Sequence, residues 1–418
     1  MAHTLSITDG ATTVNLNLSS GNMIQSYGMD TAEDINDPKI SESMEIMFVA
    51  SSGPNLQSAI NTAELLLVKA KWRQDRPNAF PRVYLQMQVD GEASTWRAEI
   101  IEGRLRPGED ALRLWPNFKA SYTFTFTRRA WEGPRKELSI SANGQSAATG
   151  GRTITNNANN WVQIASSQVG GVLPAKVELQ LTNAGGSGVN YRNFYIAVNA
   201  FSDPANLTQD LGSGSVTLTG SGSNYSGRIS YSLSSTLMTK TMGRVFKLIA
   251  RFTTQTGTIY VKPTLYEVNN LISIVDGDEI YMPLSAAGTK LIDLGSLALP
   301  GGGYSLVWTD TVLGINARGA AGYSVGINSL KLMATDSYQY IAQRGFQVAA
   351  GGLITFDNIE GVYHTGGQSV YSVRSEKPLT LFPGVTQRIN ILQDEGTSSD
   401  LAKTLTVRVY IRERRLTV

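Results

Sequence analysis

The sequence predicts a mainly β fold: an N-terminal β-sandwich with one covering α-helix, followed by further β-sandwich or jelly-roll-like domains. Three observations carry this. Short runs in which apolar and polar residues alternate recur along nearly the whole chain. Glycine is abundant, 41 of 418 residues, while only 17% of residues are charged, a composition that suits turn-rich β structure. One stretch, Asn55–Gln74, has the period of a long helix.

The elements follow in order. Residues 4–8 and 12–17 read as a hairpin across Asp9-Gly10, a strong turn signal. Residues 21–43 are polar and irregular, with Asp30, Glu33, Asp34, Asp37 and Glu42 among serines. The plain reading is a solvated loop, and the functional one is an arm touching a neighbouring subunit. Glu45–Ala50 is a short buried strand. In the helix, Leu56, Ile60, Ala63, Leu67 and Ala70 share one face, and Leu65, Leu66, Val68 and Trp72 widen it. Ser52 or Gly53 can cap its start, Pro54 suits its first turn, and Lys69, Lys71 and Arg73 suit the negative end of its dipole. Arg76-Pro77-Asn78 stops it. A single amphipathic helix among strands is expected to cover an open sheet face. Arg82–Val89, Trp96–Leu105 and Ser121–Arg129 continue as antiparallel strands and complete a first domain over 1–140.

Ser141–Gly151 has the composition of a flexible linker. Beyond it, Pro174–Thr182 and Phe194–Ala200 alternate as strands do. The closing Lys403–Arg414 places Leu405, Val407, Val409 and Ile411 on one side, a half-buried terminal strand whose natural partners lie within 176–200. Residues 152–202 plus 344–418 are therefore expected to form a split β-sandwich. The Ser/Gly/Thr-rich texture of 203–343, with short strands such as Arg244–Phe252 and Val325–Ala334, suggests an inserted jelly-roll-like sandwich.

Composition also excludes chemistry. With no cysteine there are no disulfides, thiolate nucleophiles or Cys-ligated zinc, and assembly in a reducing compartment is mildly favoured. A net charge of +2 is too balanced to favour nucleic acid or an anionic membrane as the main partner. The first residues lack the basic and apolar regions of a signal peptide, and no apolar run approaches the roughly 20 residues of a membrane helix. His3 and His364 are the whole histidine supply, and neither has a motif around it.

The remaining motifs are weak. Val275-Asp276-Gly277-Asp278-Glu279 faintly resembles a calcium loop, but a plain acidic hairpin turn is the simpler reading. Gly322-Tyr323-Ser324-Val325-Gly326 matches the spacing of a nucleophile elbow, yet the residues after Ser324 alternate like a strand where an elbow needs a helix. Tyr225, Tyr231, Tyr304, Trp308, Tyr338 and Tyr340 could form a sugar-stacking platform, although most aromatics in sandwiches pack in cores. Basic residues gather at Lys69, Lys71, Arg73, Arg76 and Arg82. They are solvated, or they face an acidic patch of a neighbour carrying Asp30, Glu33 and Asp34, which would fix register between subunits. No catalytic, metal or cofactor-binding residue is expected, and the chain does not read as an enzyme.

The closing stretch of the first domain, Thr123–Pro134 (TFTFTRRAWEGP), follows a hairpin, a long loop and a covering helix. That order resembles bacteriophage tail ring proteins of the siphophage-like distal tail and tail-tube-like family. Ile154-Thr155-Asn156-Asn157, Pro174-Ala175 and Leu381-Phe382-Pro383-Gly384 also resemble the second sandwich of such proteins. The resemblance implies a structural virion protein, assembled in the host cytoplasm into homohexameric rings at the tail tube or its tip. It also implies contact with other phage tail proteins, DNA passing only through a lumen, no membrane, and outer sandwich domains that decorate the ring or contact host glycans. The alternative is a carbohydrate-binding or adhesin module without a ring.

Overall fold

A computed structural model describes residues 4–16, 23–29, 38–77, 79–88, 93–109, 115–155, 160–199, 208–210, 216–219, 222–233, 245–267, 272–282, 290–298, 311–335, 338–358, 362–365, 368–369, 372–373, 378–394 and 403–417. They are mainly strands, with the one long helix the sequence predicts. The chain divides into two units: Met1–Lys136 with Gly170–Ala175 and Arg412–Val418, and Glu137–Val169 with Lys176–Ile411. Residues 170–175 and 412–418, within the stretch assigned by sequence to the split sandwich, cluster with the first unit.

In the first unit, Thr4–Thr8 pairs with Thr13–Asn15 on one side and Tyr84–Gln88 on the other. The Asp9 carboxylate closes the hairpin by accepting from the N–H groups of Ala11 and Thr12, with Gly10 at φ 89. Tyr84–Gln88 pairs with the first part of Thr95–Pro107, and the rest of that strand pairs with Lys119–Arg128. A register shift between Ile100 and Glu102 marks the changeover, as a bulge bends a strand from one sheet into another. Ile40–Val49 and Met23–Met29 extend the second sheet.

The acidic stretch 21–43 is thus not one irregular loop. Ile40, Glu42, Met44, Ile46 and Phe48 alternate inward along a strand and are all buried. Glu42 can take an inward position because Arg128, equally buried, pairs with it.

The helix runs Gly53–Asp75, capped by the Ser52 hydroxyl, which accepts from the Asn55 N–H at 3.3 Å. Leu56, Ile60, Ala63, Leu66, Leu67 and Ala70 pack into one core with Met44, Phe48, Trp96, Phe124 and Phe126. Leu65, Val68 and Trp72, expected to widen that face, lie 42–47% exposed on the opposite side. The helix covers its sheet from one side only, so its second apolar stripe faces outward. Trp72 rests beside Phe80 at 5.3 Å. Beneath the helix, a Cβ on Gly103 would lie 2.9 Å from Leu67 Cδ2 and 3.1 Å from the Thr125 carbonyl, so that site requires glycine.

The second unit holds two sandwiches. In the first, Thr404–Arg415, whose residues 404–411 lie in this unit, pairs with Ala175–Asn183 and Arg152–Thr155. Ala175–Asn183 passes on to Leu353–Asp357. The facing sheet runs through Trp161–Ile164, Gln387–Asp394, Val189–Asn199 and Tyr338–Val348. Phe194 and Phe356 meet edge to face at 5.1 Å within this core.

The expected linker at 141–151 is instead a hairpin, Ile140–Ala142 with Gln145–Ala148, at the edge of that facing sheet. Asn143-Gly144 forms its turn, with Gly144 at φ 70, and Asn-Gly is the dipeptide such turns favour. His364 lies in the Val362–Thr365 strand, and His3 lies outside the described residues.

The second sandwich opposes two sheets. One runs Thr208–Asp210, Ser324–Ala334, Val245–Thr256 and Lys290–Ala298; the other runs Gly222–Ser232, Thr311–Gly319, Ile259–Glu267 and Ile272–Asp276. Phe246, Leu248, Val261, Leu265, Ile315 and Ile327 fill the space between them. Its first sheet is joined to the other sandwich through buried cations. Lys331 donates to the side-chain oxygens of Asn160 and Asn390, and Arg251 donates to the Gln393 carbonyl at 2.9 Å.

Candidate interaction surfaces

The helix cations are engaged within the first unit. Lys69 reaches Asp9 at 2.6 Å, and Lys71 reaches Glu102 at 2.8 Å. Burial alone would raise the Asp9 carboxyl, but the Lys69 hydrogen bond and the N–H groups of Thr12 and Ala11 outweigh it and hold it below its ordinary value. The Glu102 hydrogen bond raises the Lys71 ammonium. Arg73 donates to the Pro77 and Phe80 carbonyls, and the Arg76 N–H donates to the Trp72 carbonyl at the helix end. Arg73, Arg82 and Arg129 surround Glu99 at 3.8, 3.8 and 3.4 Å. Asp30, Glu33 and Asp34 lie outside the described residues. Of the cations expected at an interface, Lys71 is the one in a pair open to water, its side chain 58% exposed.

The aromatics singled out by sequence do not form one platform. Tyr231 is 3% exposed, in the core of the inserted sandwich. Burial pushes its hydroxyl up to about 12. Tyr304 and Trp308 lie outside the described residues. Tyr338 and Tyr340 group with Tyr195 beside the Lys247–Asp293 ion pair, lining a cleft of about 440 Å³. Tyr195 and Tyr338 are each 6% exposed, so this cleft offers little ring face.

Tyr225 belongs elsewhere, on the outward face of the sheet that contains Ile259–Glu267. Alternation along that strand sends Val261 and Leu265 into the core and leaves Tyr260, Lys262 and Tyr266 facing out. The register sets Tyr260 opposite both Arg318 and Tyr281. Arg318 grips Glu279 with two hydrogen bonds of 2.7 and 2.5 Å, and the Tyr225 hydroxyl donates to the same carboxylate.

The Arg318 guanidinium lies 4.0 Å over the Tyr260 ring and 5.9 Å from that of Tyr225. Lys262 pairs with Asp276 at 2.7 Å, and Arg228 stacks over Tyr266 at 4.6 Å. The Tyr266 ring can cross its neighbour because position 314 is glycine, where a Cβ would sit 2.7 Å from the ring. At the centre, the Asn316 amide donates to the Thr264 hydroxyl at 3.1 Å.

Electrostatics fix this face in one charge state. Hydrogen bonds from Arg318, then from Tyr225, hold the Glu279 carboxyl down at about 2. Burial, then the bond to Glu279, pushes the Tyr225 hydroxyl up to about 12. Lys262, then Ser273, lowers Asp276. Two of the three carboxylates in the 275–279 acidic stretch, Asp276 and Glu279, are therefore matched by cations. Nor is the stretch a hairpin turn: Ile272–Asp276 and Ile280–Met282 pair successively along the same strand, Ile259–Glu267. The break between them falls opposite Pro263, which has no N–H to give, and whose carbonyl accepts instead from Gly277 at 2.8 Å. Among the described residues no group of three or more His, Asp or Glu is placed to hold a metal.

The sequence reading passed over Tyr260, Tyr266, Tyr281, Arg228 and Arg318. The signal was the period-two run Tyr260, Lys262, then Tyr266 in IYVKPTLYE, amphipathic with a polar aromatic side. Ser324 opens the Ser324–Ala334 strand, with strand and not helix after it. No helix among the described residues is long and apolar enough to cross a membrane.

No protein-family profile matches the sequence, and no curated protein matches it. Among solved structures, the chain is similar to two of the phage p2 baseplate in its activated conformation, each match covering 100% of both chains. The one with Sr gives 10% identity and a TM-score of 0.32, the one with Ca 8% and 0.26. A third, of dimeric latent PorU from Porphyromonas gingivalis, gives 11% identity and a TM-score of 0.14 over 71% of this chain and 23% of that one. Scores of this size fall short of a shared fold.

Proposed function

We propose that the chain is a structural virion protein of a phage tail. Its first unit builds a hexameric ring of the tail tube or distal tail, and its outer sandwiches decorate the ring or contact the host. The observation that carries this reading is the first unit's architecture. Two sheets share the bent strand Thr95–Pro107, one helix covers one side, and the resembling stretch Thr123–Pro134 runs through the inner strand Lys119–Arg128 and into the next strand, Trp131–Glu137. Among the described residues, Met23–Met29 and Thr13–Asn15 each pair on one side only. Open edges of this kind invite aggregation unless a neighbour completes them, and in a closed ring each edge meets the next subunit.

Lys71 and its neighbours Lys69, Arg73 and Arg76 supply the basic side of such a contact, with Asp30, Glu33 and Asp34 of the next subunit opposite. The exposed Lys71–Glu102 pair is worth little by itself, so exchanging it for an intersubunit pair costs little. Negative-stain imaging of the purified full chain tests the reading. Closed rings with a central hole are expected; a field of separate single-chain particles at high concentration would overturn it.

A further inference from the structure

The outward face of the Ile259–Glu267 sheet presents side chains that the core does not use. Tyr281 is 52% exposed and Tyr225 37%, both large for aromatic rings. Tyr260 lies between them, 5.4 Å from Tyr281 and covered on its other side by Arg318. Two accessible rings are thus held at fixed positions, flanked by the ionised carboxylates of Glu279 and Asp276.

We propose that this face binds an uncharged saccharide chain. The Tyr281 and Tyr225 rings lie under the C–H faces of successive sugars, and the Glu279 and Asp276 carboxylates accept hydrogen bonds from their hydroxyls. Sugars are amphipathic in the same sense as tyrosine, apolar across the ring and polar at the rim, so aromatic faces and charged acceptors recognise them together. Glu279 already accepts from Arg318 and Tyr225, and Asp276 from Lys262 and Ser273, which leaves each carboxylate part of its roughly four acceptor positions. Charge-assisted acceptors make the stronger hydrogen bonds.

Charge decides against a polyanion. Arg318 and Lys262 are each bound to a carboxylate, and Arg228 is stacked on Tyr266, so among the described residues the face holds no cluster of uncommitted cations. A protein partner fits less well, because interface centres are apolar and the accessible part of this face carries the Arg318–Glu279 and Lys262–Asp276 ion pairs. The side chains are pinned before any ligand arrives, which lowers the entropic cost of binding. The inference stands on the second unit alone and needs no ring.

The test is native affinity electrophoresis of the full chain through gels containing soluble mannan, mixed-linkage β-glucan or galactan, with polygalacturonate as the polyanion. Retardation in at least one neutral gel is expected. Tyr281→Ala is expected to weaken it about ten-fold, the scale of one aromatic contact, and Trp72→Ala, an exposed ring in the first unit, to leave it unchanged. Tyr281 is half in solvent, so its truncation does not threaten the fold. Retardation in none of the neutral gels, retardation confined to polygalacturonate, or equal retardation of Tyr281→Ala would each overturn the assignment. So would self-association that Tyr281→Ala abolishes, which would give the face to a second copy.

Discussion

Glu42 and Arg128 are both fully buried, and Arg128 also donates to the Arg129 and Leu416 carbonyls and lies 4.9 Å over the Trp131 ring. Removing one partner leaves a charge in the core. Arg128→Met is expected to cost about 3–5 kcal/mol in urea unfolding, and the double change with Glu42→Leu to recover most of it. A single change as mild as the double one would show the pair to be irrelevant to stability. Composition alone puts Glu42 in a solvated loop, because a charged letter looks the same at either depth. The phase was nonetheless there: Arg128 continues the inward series of Phe124 and Phe126, and Glu42 falls between Ile40 and Met44.

Glu279 gives a pH signature at the same scale. Its folded-state carboxyl lies at about 2, below the ordinary 4.5, so the stabilisation is fully present above the higher value and is lost as pH falls through the lower one. Thermal midpoints of wild type and Glu279→Gln should therefore differ most near neutral pH and converge between about 4.5 and 2. A constant gap across that range would show that the Arg318 and Tyr225 bonds do not set the carboxyl.

Among the elements, the helix was the most legible. Its period, cap and stop were all in the sequence, and it differs from the prediction only in which apolar side chains face inward. Periodicity identifies a stripe but not how wide a partner awaits it, so Leu65, Val68 and Trp72 could not be placed from spacing alone. The helix sits directly over Gly103. Gly103→Ala is expected to destabilise the first unit by about 1–3 kcal/mol through overpacking against Leu67 and the Thr125 carbonyl, read from the denaturant midpoint.

The hairpin at 140–148 shows the opposite case: small polar residues suggested a linker, while the Asn143-Gly144 turn within them carried the structural information. The terminal strand Thr404–Arg415 was readable from its alternation, and its pairing is long-range, with Val177 opposite Ile411 and Asn183 opposite Leu405. Truncating the fully buried Ile411 to alanine should cost about 2–5 kcal/mol. An unchanged midpoint would mean that this strand contributes little to the core.

For the whole molecule, the mainly β class with a single helix follows from composition and period, which act locally. The Tyr225–Glu279–Arg318 face does not, because Tyr225 and Arg318 come from separate strands and Glu279 from the break between two others, and they meet only through register. Aromatic content alone also points to the buried Tyr231 and Tyr338 and the partly buried Tyr340. What separates them is the side of the strand each occupies.

Assembly is the property on which the functional account turns, since open strand edges in the first unit acquire a purpose only if neighbours complete them. Native mass spectrometry of the full-length chain over a range of concentrations measures it most directly. The account predicts one discrete oligomer, a hexamer of the 45.2 kDa chain, with Lys71→Glu shifting it towards smaller species. A single-chain mass at every concentration, unaltered by Lys71→Glu, would contradict it.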